Sequence, residues 1–129
     1  MFTIAQIKEA HAKAKTGADY PRYIADICHL GVRRYTVFVE DGRSQYYGEN
    51  DAVSSPTSYQ CQAVALTLQS EEFQRRLRAH QEGKSSYSTF CRDCAELGIH
   101  RWEADLEAMT CTYYSTANDK VLVESIPSV

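Results

Sequence analysis

"YPRYIADICHLGVRRYTVFVEDGRSQYY" (residues 20–47) and "YSTFCRDCAELGIHRWEADLEAMTCTYY" (residues 87–114) align without a gap, and eight of their 28 positions are identical. The identities are Tyr20/Tyr87, Asp26/Asp93, Leu30/Leu97, Gly31/Gly98, Arg34/Arg101, Glu40/Glu107, Tyr46/Tyr113 and Tyr47/Tyr114. Chance at ordinary residue frequencies gives about two. The replacements Tyr23/Phe90, Val32/Ile99, Tyr35/Trp102 and Val39/Leu106 keep shape and apolar character. The chain therefore reads as a tandem duplication of one helix–helix–hairpin unit, and a two-residue gap upstream also sets His11 opposite His80.

Working outward, each half shows the same succession of signals. Thr3 and Gln6 form a capping box, flanked by the hydrophobic staple Phe2/Ile7, which predicts a helix to about Lys15 that stops near Gly17. A second helix begins after Asp19, with Pro21 in its first turn and Gly31 beyond Leu30, and its apolar stripe is Tyr23, Ile24, Ile27 and Leu30. The period then changes from helical to alternating. Tyr35, Val37 and Val39 predict a strand up to the hairpin signal Asp41-Gly42, Ser44–Gly48 its return, and the region of Val53 a short third strand. After the loop Ser54-Ser55-Pro56-Thr57-Ser58, the alternation of Gln60–Leu68 predicts another strand. From Ser70 the pattern restarts: a helix to about Glu82, a helix from Ser86 to Leu97, a strand through Trp102, Ala104 and Leu106, then strands over Thr110–Thr116 and Lys120–Ile126. One hairpin with two helices cannot bury its own face. The expectation is a single α+β domain over 1–129, with pseudo-repeats of about 1–68 and 69–129, two layers, and one shared antiparallel sheet.

The chain's 129 residues carry 17 Asp and Glu against 14 Lys and Arg, a net charge of −3, and 43% of residues are hydrophobic. These values describe a globular domain and do not imply nucleic acid. The one dense basic run, Arg75-Arg76-x-Arg78, follows Glu71 and Glu72 at helical spacing and reads as a solvated, internally paired face. No stretch has the length or apolarity of a signal peptide or a membrane span, so the expected location is the cytoplasm. Five cysteines, an odd number at irregular spacing, fit a reducing compartment. Cys91-x-x-Cys94 is the one pair that suggests redox or metal chemistry. In the alignment, however, Cys91 falls opposite Ile24 and Cys94 opposite Ile27, both on the apolar stripe of the second helix. The two thiols therefore read as core side chains. Arg92 is the sole cation between them, and only Cys111, His80 and His100 are available to complete a zinc site, at a spacing that matches no zinc pattern. No metal and no cofactor is expected.

Function is less legible. No nucleophile elbow, phosphate loop, catalytic-triad order or paired-carboxylate motif can be read. Nine tyrosines and one tryptophan are many for this length and favour a binding or interaction module, for a small molecule or a protein partner. In each pair Tyr46/Tyr47 and Tyr113/Tyr114 one ring faces away from the helices, where it serves either recognition or cross-strand stabilisation of the sheet. The alternative is a cofactor-independent enzyme with His80 as general base near Tyr87 or Tyr114. Against both stands the plainer reading that His80 bonds a backbone carbonyl or caps its helix, and with Gln81 only ties the helix end to the neighbouring turn. Any pocket is expected beside His80, Gln81, Tyr87, Trp102 and Tyr114, since the second half differs from the first in carrying Gln81 for Ala12 and Trp102 for Tyr35. The oligomeric state is left open, a homodimer included.

His80-Gln81-x-Gly83, Tyr87-x-x-Phe90-Cys91, Ala95-x-x-Gly98, Trp102, Thr110-Cys111-x-Tyr113-Tyr114 and Glu124-x-Ile126-Pro127 resemble the YbcV-like family of uncharacterised bacterial proteins, some of them labelled phage envelope proteins. Gly17-x-Asp19-Tyr20-Pro21 and Val39-x-Asp41-Gly42 extend the resemblance into the first half. Ser85-Ser86 stands where that family's pattern has Thr-Asp, and Ser115 where it has Asp. The resemblance implies a bacterial or prophage setting and, through the label, a third reading as a phage structural or assembly protein. It implies no activity.

Overall fold

The computed structural model describes residues 2–56 and 61–128. Thr3 caps the first helix, α1 (Ile4–Lys13), through the expected box: its hydroxyl accepts from the Gln6 N–H while the Gln6 side chain accepts from the Thr3 N–H. Phe2 and Ile7, the two residues of the expected staple, are both buried in the core. The helix stops earlier than Lys15 because a 3-10 turn, Gly17–Asp19, intervenes, and the Asp19 carboxylate accepts from the backbone N–H groups of Lys15 and Thr16. Helix α2 (Tyr20–Leu30) follows, with Pro21 in its first turn and Gly31 at φ 105° closing it. Strands β1 (Arg34–Phe38), β2 (Ser44–Tyr47) and β3 (Ala52–Ser55) complete the first half. The Asp41-Gly42 signal marks a hairpin, but the connection is five residues long, Val39 to Arg43, with the Asp41 carboxylate accepting from the Arg43 N–H.

The second half repeats the order: α3 (Ser70–Gln81), α4 (Tyr87–Glu96), β4 (Ile99–Asp105), β5 (Thr110–Ser115) and β6 (Lys120–Ser125). All six strands form one antiparallel sheet in the order β3-β2-β1-β4-β5-β6. The α+β class and the shared sheet are as expected, with each half supplying three strands rather than a hairpin. At the centre Tyr35 pairs with Ala104, Thr36 with Glu103 and Val37 with Trp102. Thr36 and Glu103 are equivalent positions of the aligned halves, so the register sets each half against the other about that pair.

The strand expected over Gln60–Leu68 is not formed. Gln60, with Thr57 and Ser58 of the preceding loop, lies outside the described residues, and from Cys61 to Gln69 the chain is irregular. Its backbone N–H groups go to separate partners: Gln62 to the Glu40 carbonyl, Ala65 to the Ala95 carbonyl and Gln69 to the Leu97 carbonyl. The carbonyls at the end of α4 have no partner within their own helix, and they take this segment as theirs, which removes it from any sheet. It passes so close to Gly98, at φ 89°, that a Cβ there would stand 2.6 Å from the Thr67 carbonyl oxygen.

The helices cover one face of the sheet. Tyr35, Val37, Tyr46, Trp102, Ala104, Cys111 and Tyr113 point inward and join Ile24, Ile27, Phe73, Leu77, Phe90, Cys91 and Cys94 in one core. Cys91 and Cys94 are buried, in the positions Ile24 and Ile27 hold in α2. Burial raises the Cys94 thiol well above its ordinary value, the opposite of what a redox thiol needs. The basic run of α3 is paired as its spacing suggested, Glu72 bonding both Arg75 and Arg76, while Arg76 also reaches Asp93 at 2.6 Å. Among the described residues no helix is long and apolar enough to cross a membrane.

Candidate functional site

Between the helix layer and the sheet lies a cavity of about 630 Å³. Its walls follow from the alignment of the halves. The first half contributes His11, Tyr20, Tyr23, Tyr35 and Tyr46, and the second half the equivalent His80, Tyr87, Phe90, Trp102 and Tyr113. Every one of these positions is an aromatic ring or an imidazole in both halves, so ring faces from two helix pairs and two strand pairs converge on one volume.

Of the residues read as a site from the sequence, His80, Gln81, Tyr87 and Trp102 line this cavity. Tyr114 does not. Successive strand residues face opposite sides of the sheet, and it is Tyr113 that points inward. Tyr114 lies on the outer face, where the Arg101 guanidinium covers its ring at 4.0 Å; Arg101 and Tyr114 are cross-strand neighbours. Arg34 and Tyr47 make the matching pair, at 4.5 Å, in the first half. The outer tyrosines thus act as sheet partners. A second correction concerns extent: the pocket expected beside the second half draws equally on the first. The signal was present in the alignment as four aromatic pairs, 20/87, 23/90, 35/102 and 46/113.

The two histidines are held differently. The His80 ring stacks on Phe90, with centroids 4.4 Å apart and planes 9° from parallel. Its Nδ1 lies 3.2 Å from the Ser85 carbonyl oxygen and 3.1 Å from the Ser85 Oγ. A carbonyl only accepts, so Nδ1 carries the proton, and Nε2 of the neutral ring is left as an acceptor. His11 instead meets the edges of Tyr23 and Tyr87, at 5.4 and 5.1 Å, and among the described residues neither of its ring nitrogens has a hydrogen-bond partner. Burial lowers both imidazoles below their ordinary value, which keeps them neutral at pH 7. Gln81 stands at the rim and donates to the Glu124 carboxylate at 2.8 Å, tying the end of α3 to β6.

The floor is phenolic and internally satisfied. The Tyr20 and Tyr35 hydroxyls are 2.7 Å apart, those of Tyr23 and Tyr46 are 3.4 Å apart, and Ser44 donates to the Tyr46 oxygen at 3.3 Å. Burial, with neighbouring phenols and the Cys111 thiol adding to it, raises Tyr20, Tyr23, Tyr35 and Tyr113 well above the usual phenol range. Cys111 is pushed up to about 12 by the same burial. These groups stay neutral over the physiological range, and the arrangement offers ring faces inside and polar groups at the mouth. Among the described residues no three His, Cys, Asp or Glu side chains come together to hold a metal ion. No curated protein matches the sequence. Residues 8–125, nearly the whole of the described helices and strands, match the model of a family described as "Protein of unknown function (DUF1398)", and the chain belongs to that family.

Proposed function

We propose that the protein binds a small organic molecule in the cavity between its helices and its sheet. The observation that carries this is the convergence of five ring-bearing positions from each half on a volume of about 630 Å³, within the range of about 300–1,000 Å³ typical of ligand sites. A core packed only for stability fills such a volume with its own side chains. Here the hydroxyls of Tyr20 and Tyr35, and of Tyr23 and Tyr46, bond one another, which leaves their ring faces for an apolar or aromatic guest. With the resemblance to the YbcV-like proteins, the reading is of a cytosolic binding module in a bacterial or prophage setting.

A second reading, proton-transfer catalysis on the bound molecule, is favoured by one feature: the bond between Nδ1 and the Ser85 carbonyl leaves Nε2 of a neutral His80 as a base at the cavity wall. One series of experiments addresses both. Trp102, the only tryptophan, lines the cavity and reports on its occupancy. Screened against a fragment library with anionic, neutral and cationic members, the protein should give hits that change Trp102 emission saturably and raise the melting temperature, by about 2.7 kcal/mol of stability at a hundredfold excess over Kd. A library that gives no saturable change would overturn the binding reading. For bound hits in D2O, exchange of a carbon-bound proton that disappears in His80→Gln while binding persists would favour catalysis; hits that never exchange would leave binding alone.

A further inference from the structure

The charges around the cavity are not a sample of the charges on the protein. The chain has more acidic than basic residues, 17 against 14, yet among the described residues lining the cavity there is no Asp or Glu, while Lys8, Lys15 and Arg92 all line it. All three are exposed, so they stand at the mouth rather than in the floor. Arg22, Arg33, Arg43, Arg75, Arg76, Lys84 and Arg101 are in ion pairs; among the described residues the three mouth cations are not, nor are Lys13, Arg34, Arg78 and Lys120 elsewhere. Lys8 and His11 are three residues apart on α1, with Lys15 just beyond its end, and Arg92 comes from α4. Cations from two helices therefore flank an apolar interior whose hydroxyls already bond one another.

We propose that the ligand is an organic anion with an apolar or aromatic body, its anionic group drawn to the mouth by the charges of Lys8, Lys15 and Arg92 and its body lying among the rings. This rests on the reading that the cavity binds a small molecule. A ligand ammonium at the mouth would face three cations that make no ion pair among the described residues, a neutral group would gain nothing from them, and a carboxylate, sulfonate or phosphate ester would be attracted by them. The attraction is that of exposed charges, so it should be lost as salt is raised.

The test uses the full chain and three probes with one body: ω-phenylhexanoate, ω-phenylhexanol and ω-phenylhexylamine, titrated by calorimetry at low salt with Trp102 emission as the second readout. The carboxylate should bind about tenfold or more tighter than the alcohol, and the amine weakest, as three exposed charge interactions predict. Replacing Lys8, Lys15 and Arg92 together by Gln should remove the carboxylate's advantage over the alcohol. Inorganic phosphate should not compete, because it has no apolar body. If the alcohol or the amine binds as tightly as the carboxylate, the cavity is a binding site and the anion proposal falls. Competition by phosphate at concentrations comparable to the carboxylate would also overturn it, since the body would then contribute nothing. If none of the three probes binds, the binding reading falls and takes this proposal with it.

Discussion

Carried from neutral to alkaline pH, the protein is expected to lose its fold in one steep step beginning near the ordinary phenol value. Tyr20, Tyr23, Tyr35 and Tyr113 are held above 10.0 by burial, and the thiols of Cys94 and Cys111 above 9.0. In the unfolded chain each of these six groups releases its proton at its ordinary value, while the folded chain retains it. The unfolded state then binds fewer protons, so stability is intact below those values and falls as pH rises through them. Each group adds about 1.4 kcal/mol per pH unit, and six together about 8 kcal/mol per unit once all are ionised in the unfolded state. Against a domain stability of about 5–15 kcal/mol, the transition should be complete within about two pH units. Far-ultraviolet circular dichroism and phenolate absorbance followed on one sample check this. A block of phenolate signal equal to four tyrosines should appear together with the loss of helix. If those phenols ionise gradually while the dichroism stays native, the buried network that forms the floor of the cavity is not as described.

What the sequence disclosed, it disclosed through local chemistry and through repetition. The Thr3/Gln6 box, Pro21, Gly31 and Ser86 act on neighbours within a turn, so each helix could be placed to within a residue or two from its caps. The offset that aligns Tyr20 with Tyr87 carried the element order of one half onto the other, and it assigned Cys91 and Cys94 to the core before any contact was known. What escaped depended on distant partners. The segment after Cys61 alternates like a strand, but Leu66 is 86% exposed because the backbone there is tied to the end of α4 instead of to a sheet. Tyr113 and Tyr114 are adjacent tyrosines, and only the register of β5 decides which of them faces the cavity. The cavity itself is a property of how two halves meet, so the residues of either half alone make up only part of its lining. His80, Gln81, Tyr87 and Trp102 were legible as chemistry-bearing positions; His11, Tyr20 and Tyr35 were legible only as the positions aligned with His80, Tyr87 and Trp102.

Gly17→Ala should be among the most damaging single-methyl changes in the protein, and it should act on the cavity as well as on stability. In the sequence Gly17 is a residue near which a helix stops and the first of the Gly17-x-Asp19-Tyr20-Pro21 motif. In the structure it is buried where the 3-10 turn of the first half meets the end of α3 in the second. A Cβ there would stand 2.2 Å from the His80 carbonyl oxygen and 2.7 Å from both the His80 carbonyl carbon and its ring Cδ2. Two of those three atoms are backbone, in the last turn of a helix, and cannot turn aside as a flexible side chain would. Either the turn withdraws from α3, or the last turn of α3 opens and takes with it the Ser85 contact that orients His80. Overpacking of well-ordered interiors costs about 1–3 kcal/mol, and a clash with backbone belongs at the upper end or beyond, which for a chain of this size corresponds to a fall in Tm of about 10 °C. Gly31→Ala supplies the contrast. Gly31 has φ 105° but nothing nearer its Cβ position than Phe2 at 3.8 Å, so its cost is conformational and about 1 kcal/mol. Truncating His80 to Ala in the Gly17→Ala background removes the ring contact and leaves the carbonyl contact, so it should not restore stability. Thermal melts of the three variants, with Trp102 emission followed alongside, decide the matter. A Gly17→Ala protein as stable as the parent would mean that the two halves do not meet at His80, and the cavity whose wall that contact builds would lose its basis.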